Sequence, residues 1–306
     1  MKTYLAFDIG GTKLKYALIN DQGQLLKKYS ENTVKTSQAE FLNRFNEIIQ
    51  KFQAQISGIG ISVPGKINAA DQSISFGGAL PFLDGVSFNK ELHTKLPIFV
   101  ENDAKAATLA EMWQGSLMNV ENGVMLVLGT GIGSGILLNH QLVYGSHQQA
   151  GEVSFMSFGK FDKDDMMGGR GSAVGLIQDI ASHYGLEDID DGPKVFEMIR
   201  NNDTYAKERF QEFCRNVALL IHNMQTVLDA DRYVIGGGIS HQKIVVEGIN
   251  KAFEELRAES DFVNNTLAKP QIVNSKLYNA ANLYGAISKF EIGTENTNEL
   301  KSVGNM

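Results

Sequence analysis

Twice along the 306 residues an apolar strand runs into a glycine-threonine turn, comes back as a second strand and ends at a polar turn. The first copy is Tyr4-Leu5-Ala6-Phe7, the turn Asp8-Ile-Gly-Gly-Thr-Lys13 and a strand from Leu14 to Ile19. Asp21-Gln22-Gly23 and a third strand from Leu25 to Tyr29 come next. The second copy is Val124 to Leu128, the run Gly129-Thr-Gly-Ile-Gly-Ser-Gly135, a strand from Gly135 to Leu138, a polar turn and Gln141-Leu142. Leu18-Ile19-Asn20 with Gln24-Leu25 is echoed by Leu137-Leu138-Asn139 with Gln141-Leu142. A recurring supersecondary unit points to two related halves, and such halves commonly enclose a cleft.

The segments after each copy set the fold class. Phe41, Phe45, Ile48, Ile49 and Phe52 recur at helical spacing, so residues 38–53 read as an amphipathic helix leading into a strand over 56–63 that Pro64-Gly65 ends. Ile98-Phe99-Val100 is a further strand, and Asp103 can cap the helix after it. Helices are predicted over 172–184, 193–201, about 204–229 and about 241–258, with the strand Tyr233-Val-Ile before Gly236-Gly237-Gly238. Strands interleaved with helices make an α/β fold. The pattern places an N-terminal α/β lobe at 1–118 and a larger C-terminal one at 119–306. A helix over 281–290 is a candidate to pack back on the first lobe, and the residues after 291 read as a polar tail.

Charge and cysteine content narrow the function classes. With 35 acidic and 28 basic residues the net charge is -7, which argues against nucleic acid or an anionic membrane as partner. Cys214 is the only cysteine, so an internal disulfide and a multi-thiolate zinc site are both excluded and a reducing cytoplasm fits. With a carboxylate at Asp8 no signal-peptide core is expected, and no apolar run approaches the length of a membrane span.

Five places carry chemistry. At Asp8 to Lys13 the glycines Gly10 and Gly11 permit close backbone approach, the amides and Thr12 can donate to phosphate oxygens, and Asp8 can hold a hydrated Mg²⁺. An ordinary hairpin turn with a solvated Lys13 accounts for the same residues. Alternate glycines at 129, 131, 133 and 135, beside Thr130, clear one face of an extended segment for an anion or for a second backbone. The spacing matches neither a Walker loop nor the dinucleotide fingerprint. In Glu101-Asn102-Asp103 the last residue can take the proton of an attacking alcohol, cap a helix, or do both, while Asn102 can bind neighbouring hydroxyls. Glu152 and His147 are candidate ligands for sugar hydroxyls or plain loop surface. Gly236, Gly237 and Gly238 can meet a nucleotide or simply join strand to helix.

Taken together and in this order, the motifs resemble the ROK family of bacterial sugar kinases and related repressors, in the actin, hexokinase and Hsp70 ATPase superfamily. The resemblance runs from Asp8 to about Ser288. It implies two actin-like (ribonuclease H-like) lobes with an interdomain cleft, and a carbohydrate kinase using ATP and Mg²⁺, the ion held by Asp8 through water. Under it Asp8 to Lys13 and Gly129 to Gly135 bracket the ATP phosphates, and Gly236 to Gly238 form the adenosine turn. Gly58 to Gly65 is the connecting motif. Asn102 and Glu152 bind sugar, Asp103 is the general base, and Gly65, Gly78, Ala79 and His147 join the sugar site.

One departure matters. The family's Glu-x-Gly-His reads Glu152-Val153-Ser154-Phe155 here, and Phe161 to Arg170 replaces the cysteine-rich zinc loop. The chain is therefore expected to be zinc-free, and an aromatic face replaces a hydrogen-bonding group in the sugar pocket. Glucose, N-acylmannosamine, fructose and β-glucosides are the candidate acceptors, and a homodimer is the oligomer the resemblance implies. A transcriptional regulator of the same family would carry a DNA-binding domain ahead of the kinase-like part, and with the phosphate motif starting at Asp8 that alternative is not expected. A non-catalytic sugar sensor is the other alternative.

Overall fold

β1 (Thr3–Ile9) is buried from Tyr4 onward because it runs through the middle of a sheet covered on both faces, with Leu5 and Phe7 in one core and Tyr4 and Ala6 in another. In the computed structural model, which describes residues 1–78, 80–162 and 165–291, β1 pairs antiparallel with β2 (Lys13–Asn20). β3 (Leu25–Asn32) completes a meander beyond β2, and β4 (Gly58–Val63) lies parallel to β1 on its other side. α1 (Gln38–Phe52) makes the crossover to β4. The hydroxyl of Ser37 accepts the Glu40 amide at its start, and Phe41, Phe45, Ile48, Ile49 and Phe52 face inward. Phe45 stacks on Phe7 of β1 at 4.4 Å between ring centroids, which joins helix and sheet in one core. The small hairpin of β5 (Lys66–Ile67) and β6 (Ile74–Ser75) and the one-turn α2 (Phe88–Glu91) precede β7 (Ile98–Asn102), the parallel neighbour of β4. α3 (Asp103–Gln114) leaves the end of β7 directly. The sheet order is β3-β2-β1-β4-β7.

The second sheet repeats this order with different strands. β8 (Gly123–Leu128), β9 (Ile132–Leu138) and β10 (Gln141–Leu142) form the meander. α4 (Met167–Arg170), α5 (Ala173–His183), α6 (Gly192–Arg200) and α7 (Thr204–Leu228) come before β11 (Arg232–Gly237), which lies parallel to β8. α8 (Lys243–Ala258) and α9 (Asp261–Thr266) then lead to β12 (Gln271–Asn274), parallel to β11. The order β10-β9-β8-β11-β12 is that of the first sheet, so the duplicated sequence pattern marks a duplicated fold. α5, α7 and α8 supply much of the second core, with Cys214 buried in α7.

The chain divides into two compact units. One comprises Met1–Met118, Tyr144–Ala150 and the described residues from Ala280 on; the other comprises Asn119–Val143 and Gly151–Asn279. Within the first unit, the helix of residues 281–291 buries Leu283, Ala286 and Ile287 against Tyr4, Ala6, Ala17 and Ile19 of β1 and β2. Glycines let it come close: a Cβ on Gly285 would stand 1.8 Å from the Ala106 carbonyl oxygen in α3, and one on Gly60 of β4 only 2.1 Å from that of Ala286. Among the described residues no helix is long and apolar enough to cross a membrane. The polar tail anticipated after 291 lies outside the described residues.

Candidate active site

In the first unit Asp8 stands one residue before the end of the buried run of β1 and is itself 7% exposed. Hairpin register sets Lys15 opposite it, and the Lys15 ammonium lies 3.1 Å from Oδ2, while the Asn282 amide donates to Oδ1 at 3.0 Å. The turn beyond is fixed by one bond of its own and two from Thr33. The Gly10 amide donates to the Lys13 carbonyl at 3.0 Å, and Thr33 donates through its hydroxyl to Gly10 (2.7 Å) and through its amide to Thr12 (3.0 Å). Thr12 and Lys13 are exposed, and the Lys13 ammonium reaches outward to Asn32 at 2.8 Å, not to Asp8.

At the end of β7 the backbone of Asn102 is still extended (φ -60°, ψ 144°), so Asn102, not Asp103, is the cap of α3. Its side-chain oxygen accepts the amides of Ala104 (3.0 Å) and Lys105 (3.1 Å). Its amide nitrogen donates to the Gly65 carbonyl at 3.0 Å and to Asp103 Oδ1 at 3.1 Å, and the same Oδ1 accepts the Ala104 amide at 2.8 Å. Asp103 is thus the first residue of the helix, where the aligned peptide dipoles favour its negative form. Gly65 is where it is because no other residue fits: its φ is +100°, and a Cβ would stand 2.7 Å from the Ser75 carbonyl oxygen. Gly78 is exposed, and Ala79 lies outside the described residues.

Glu101, one residue earlier, is 2% exposed. It accepts a hydrogen bond from the Tyr144 hydroxyl at 2.6 Å and lies 3.4 Å from the Lys289 ammonium. Burial first, then the neighbouring Glu101 charge and its hydrogen bond, pushes the Tyr144 phenol far above its ordinary pKa, so Tyr144 remains a donor at any working pH. Tyr144 opens the 144–150 segment, which Lys105 also holds by donating to the Gln148 carbonyl at 3.3 Å. His147 is exposed on that segment.

In the second unit, the Gly129 carbonyl accepts the amides of Ala173 (2.9 Å) and Val174 (3.2 Å) at the start of α5, and the Gly129 amide donates to Gly131 at 2.9 Å. Thr130 is exposed at the tip, and Gly133 is half-buried in β9. The Ser154 hydroxyl accepts the Ile132 amide at 2.9 Å and donates to the Ile132 carbonyl at 3.1 Å, which rivets the Val153–Phe155 turn to the glycine strand. Phe155 is 65% exposed. Glu152, also exposed, lines with Asn223 an otherwise apolar cavity of about 280 Å³ formed by Ile136, Val153, Met156 and Met224. Gly236 is buried and Gly238 exposed where β11 passes into a short 3-10 turn, with Gly237 paired to Leu128.

The profile of the ROK family matches residues 4–291. The chain belongs to the ROK family. Among its relatives, the β-glucoside kinase of Listeria monocytogenes is 28% identical over 306 residues, covering 96% of this chain and 99% of the relative. The N-acetyl-D-glucosamine kinase of Vibrio cholerae is 26% identical over 267 residues, covering 81% and 88%. Among solved structures, a ROK family protein from Streptococcus pneumoniae in complex with sucrose superposes with a TM-score of 0.86 at 28% identity, covering 96% of this chain and 99% of that one.

Several residues of this ROK chain that shape the site carry no local sequence signal. Lys15 becomes legible only from the hairpin register, and Thr33, Tyr144, Asn282 and Lys289 only from the tertiary fold. Among the described residues no three His, Cys, Asp or Glu side chains form a metal-binding group. The single carboxylate of Asp8, with one oxygen beside Lys15 and the other bonded to Asn282, would hold a Mg²⁺ through the ion's waters.

Proposed function

We propose that this chain is an ATP-dependent carbohydrate kinase in which Asp103 takes the proton from the attacking sugar hydroxyl. The observation that carries this reading is the fixed Asn102-Asp103 pair: Asn102 is locked by Gly65 and by the first amides of α3, and it holds one oxygen of Asp103. A base so oriented, adjacent to a side chain that both donates and accepts, matches what an alcohol nucleophile needs.

The remaining roles rest on chemistry. The amides of Gly10, Gly11 and Thr12 with the Thr12 hydroxyl, and the turn of Gly129, Thr130, Gly131 and Gly133, receive the phosphates of ATP; Gly236, Gly237 and Gly238 receive the adenosine. Lys13, exposed and on a flexible stem, is free to leave Asn32 for a phosphate. Asp8 would hold Mg²⁺ through water, and the ion would supply neutralising charge on the transferred phosphoryl group. Gly65, Gly78, Ala79, Asn102, His147 and Glu152 are assigned to the sugar. Among acceptors a β-glucoside ranks first: β-glucoside kinases are among the most similar named relatives, and the open ring of Phe155 offers an apolar face for a sugar or its aglycone. A single buried cysteine suits work in the reducing cytoplasm.

Asp103→Ala tests the central assignment. Turnover is expected to fall by roughly 10²–10⁴, the range for losing a positioned base, while calorimetric sugar affinity stays within about threefold. A variant that keeps most of its turnover would sink the assignment.

A further inference from the structure

The helix of residues 281–291 touches both chemical ends of the first unit. Asn282 donates to Asp8 Oδ1 at 3.0 Å. Seven residues on, Lys289 lies 3.4 Å from Oε2 of Glu101, the residue before Asn102 and Asp103. Seven residues are almost two turns of helix, so both side chains leave the same face, about 10 Å apart along the axis. The helix cannot slide to adjust this spacing. Gly285 lies against the backbone of α3 and Gly60 against the backbone of the helix itself, at distances that admit no Cβ, and Tyr4 stacks on Phe290 at 4.8 Å.

Each contact does more than fill space. Oδ2 of Asp8 is already claimed by Lys15, so the Asn282 amide is what keeps the carboxylate from turning wholly towards that cation. Glu101 is buried, and its other oxygen accepts the Asn102 amide at 2.9 Å, so the orientation of Glu101 is passed to the backbone that carries Asn102 and Asp103. Lys289 compensates the Glu101 charge while lying over the rings of Phe99 (4.3 Å) and Tyr144 (4.7 Å).

We propose that this helix is a positioning element with two separable outputs: Asn282 orients Asp8 for the metal-nucleotide, and Lys289, through Glu101, sets the sugar-side pair Asn102 and Asp103. The inference rests on the kinase reading for what the two ends bind, and on geometry alone for the linkage.

The test is a split of kinetic constants. Asn282→Ala is expected to raise KM for MgATP about tenfold, the scale of losing a hydrogen bond to a charged group, with KM for sugar within twofold. Lys289→Met should do the reverse, lowering kcat and raising the sugar KM about tenfold with KM for MgATP within twofold, and Lys289→Arg should restore most of both. Two outcomes overturn the proposal: variants that only lower Tm and leave both KM values alone, and variants that raise both together. Calorimetry of MgATP with wild type and Asn282→Ala keeps the test independent of turnover. A wild type that phosphorylates no sugar would defeat the kinase reading, yet a tenfold loss of MgATP affinity in Asn282→Ala would still support the linkage. Equal affinities, or no MgATP binding by the wild type, would end it.

Discussion

Gly285→Ala puts propensity and packing in direct opposition. In an isolated helix the change stabilises by about 1 kcal/mol, because alanine loses less backbone freedom on folding than glycine. Here the new Cβ would fall 1.8 Å from the Ala106 carbonyl oxygen, 2.3 Å from its carbonyl carbon and 2.8 Å from its Cα, all backbone atoms of α3 that have no rotamer to change. The helix must therefore lift by more than about 1 Å, at a cost near the upper end of the 1–3 kcal/mol typical of overpacking. The net is about 2 kcal/mol of destabilisation, or a Tm about 4–8 °C lower for a body of this size. Trp113 is the only tryptophan in the chain, lies on α3 and meets Tyr284 edge-on at 6.3 Å between ring centroids, so its fluorescence reports on this contact. Thermal unfolding followed through Trp113 should show the lower midpoint together with a shifted native emission. A midpoint equal to or above wild type, with unchanged emission, would refute the close approach.

Two further outcomes concern the second unit. The Ser157 hydroxyl, the Arg170 charge and the amides of Gly159 and Phe158 hold the Asp165 carboxyl below the usual carboxylate pKa, against the opposing effect of burial. A lowered native pKa contributes stability that is complete above the unfolded value and fades as pH falls through the native one. Asp165→Asn should speed hydrogen exchange at the Phe158 and Gly159 amides at pH 7, while the wild type keeps their protection near pH 4; equal exchange at pH 7 would contradict this role for the carboxylate. Burial pushes the Cys214 thiol up to about 12, so it should ignore a charged disulfide reagent at pH 8 until the protein is unfolded, and rapid reaction of the native chain would contradict that burial.

Local pattern reached α1 because its cap, its apolar spacing and its length agree: the prediction over 38–53 meets a helix at Gln38–Phe52. It reached the duplication too, since the two meanders are short-range structures whose turn residues stand in the sequence, and the matching sheet orders grow out of them. β9 starts at Ile132, three residues before the expected strand, because alternate glycines hide a strand from any count of apolar residues. β12 has only Ile272 and Val273 to announce it, and parallel pairing with β11 supplies the rest. At the site the motif positions were legible but their partners were not. Asn282 and Asp8 are 274 residues apart and Tyr144 and Glu101 are 43 apart, distances that no periodicity encodes. Asp103 is a reasonable cap by residue type; the extended backbone of Asn102 gives that place to its neighbour.

The kinase assignment stands or falls on the release of ADP from purified enzyme with Mg-ATP, coupled to NADH oxidation and run across hexoses, N-acyl hexosamines and β-glucosides beside Asp103→Ala. Sugar-dependent release is expected on one class, strongest with a β-glucoside, and is expected to vanish in the variant. Silence across the whole panel, with sugar binding still measurable by calorimetry, would contradict the assignment and leave a sugar sensor in its place.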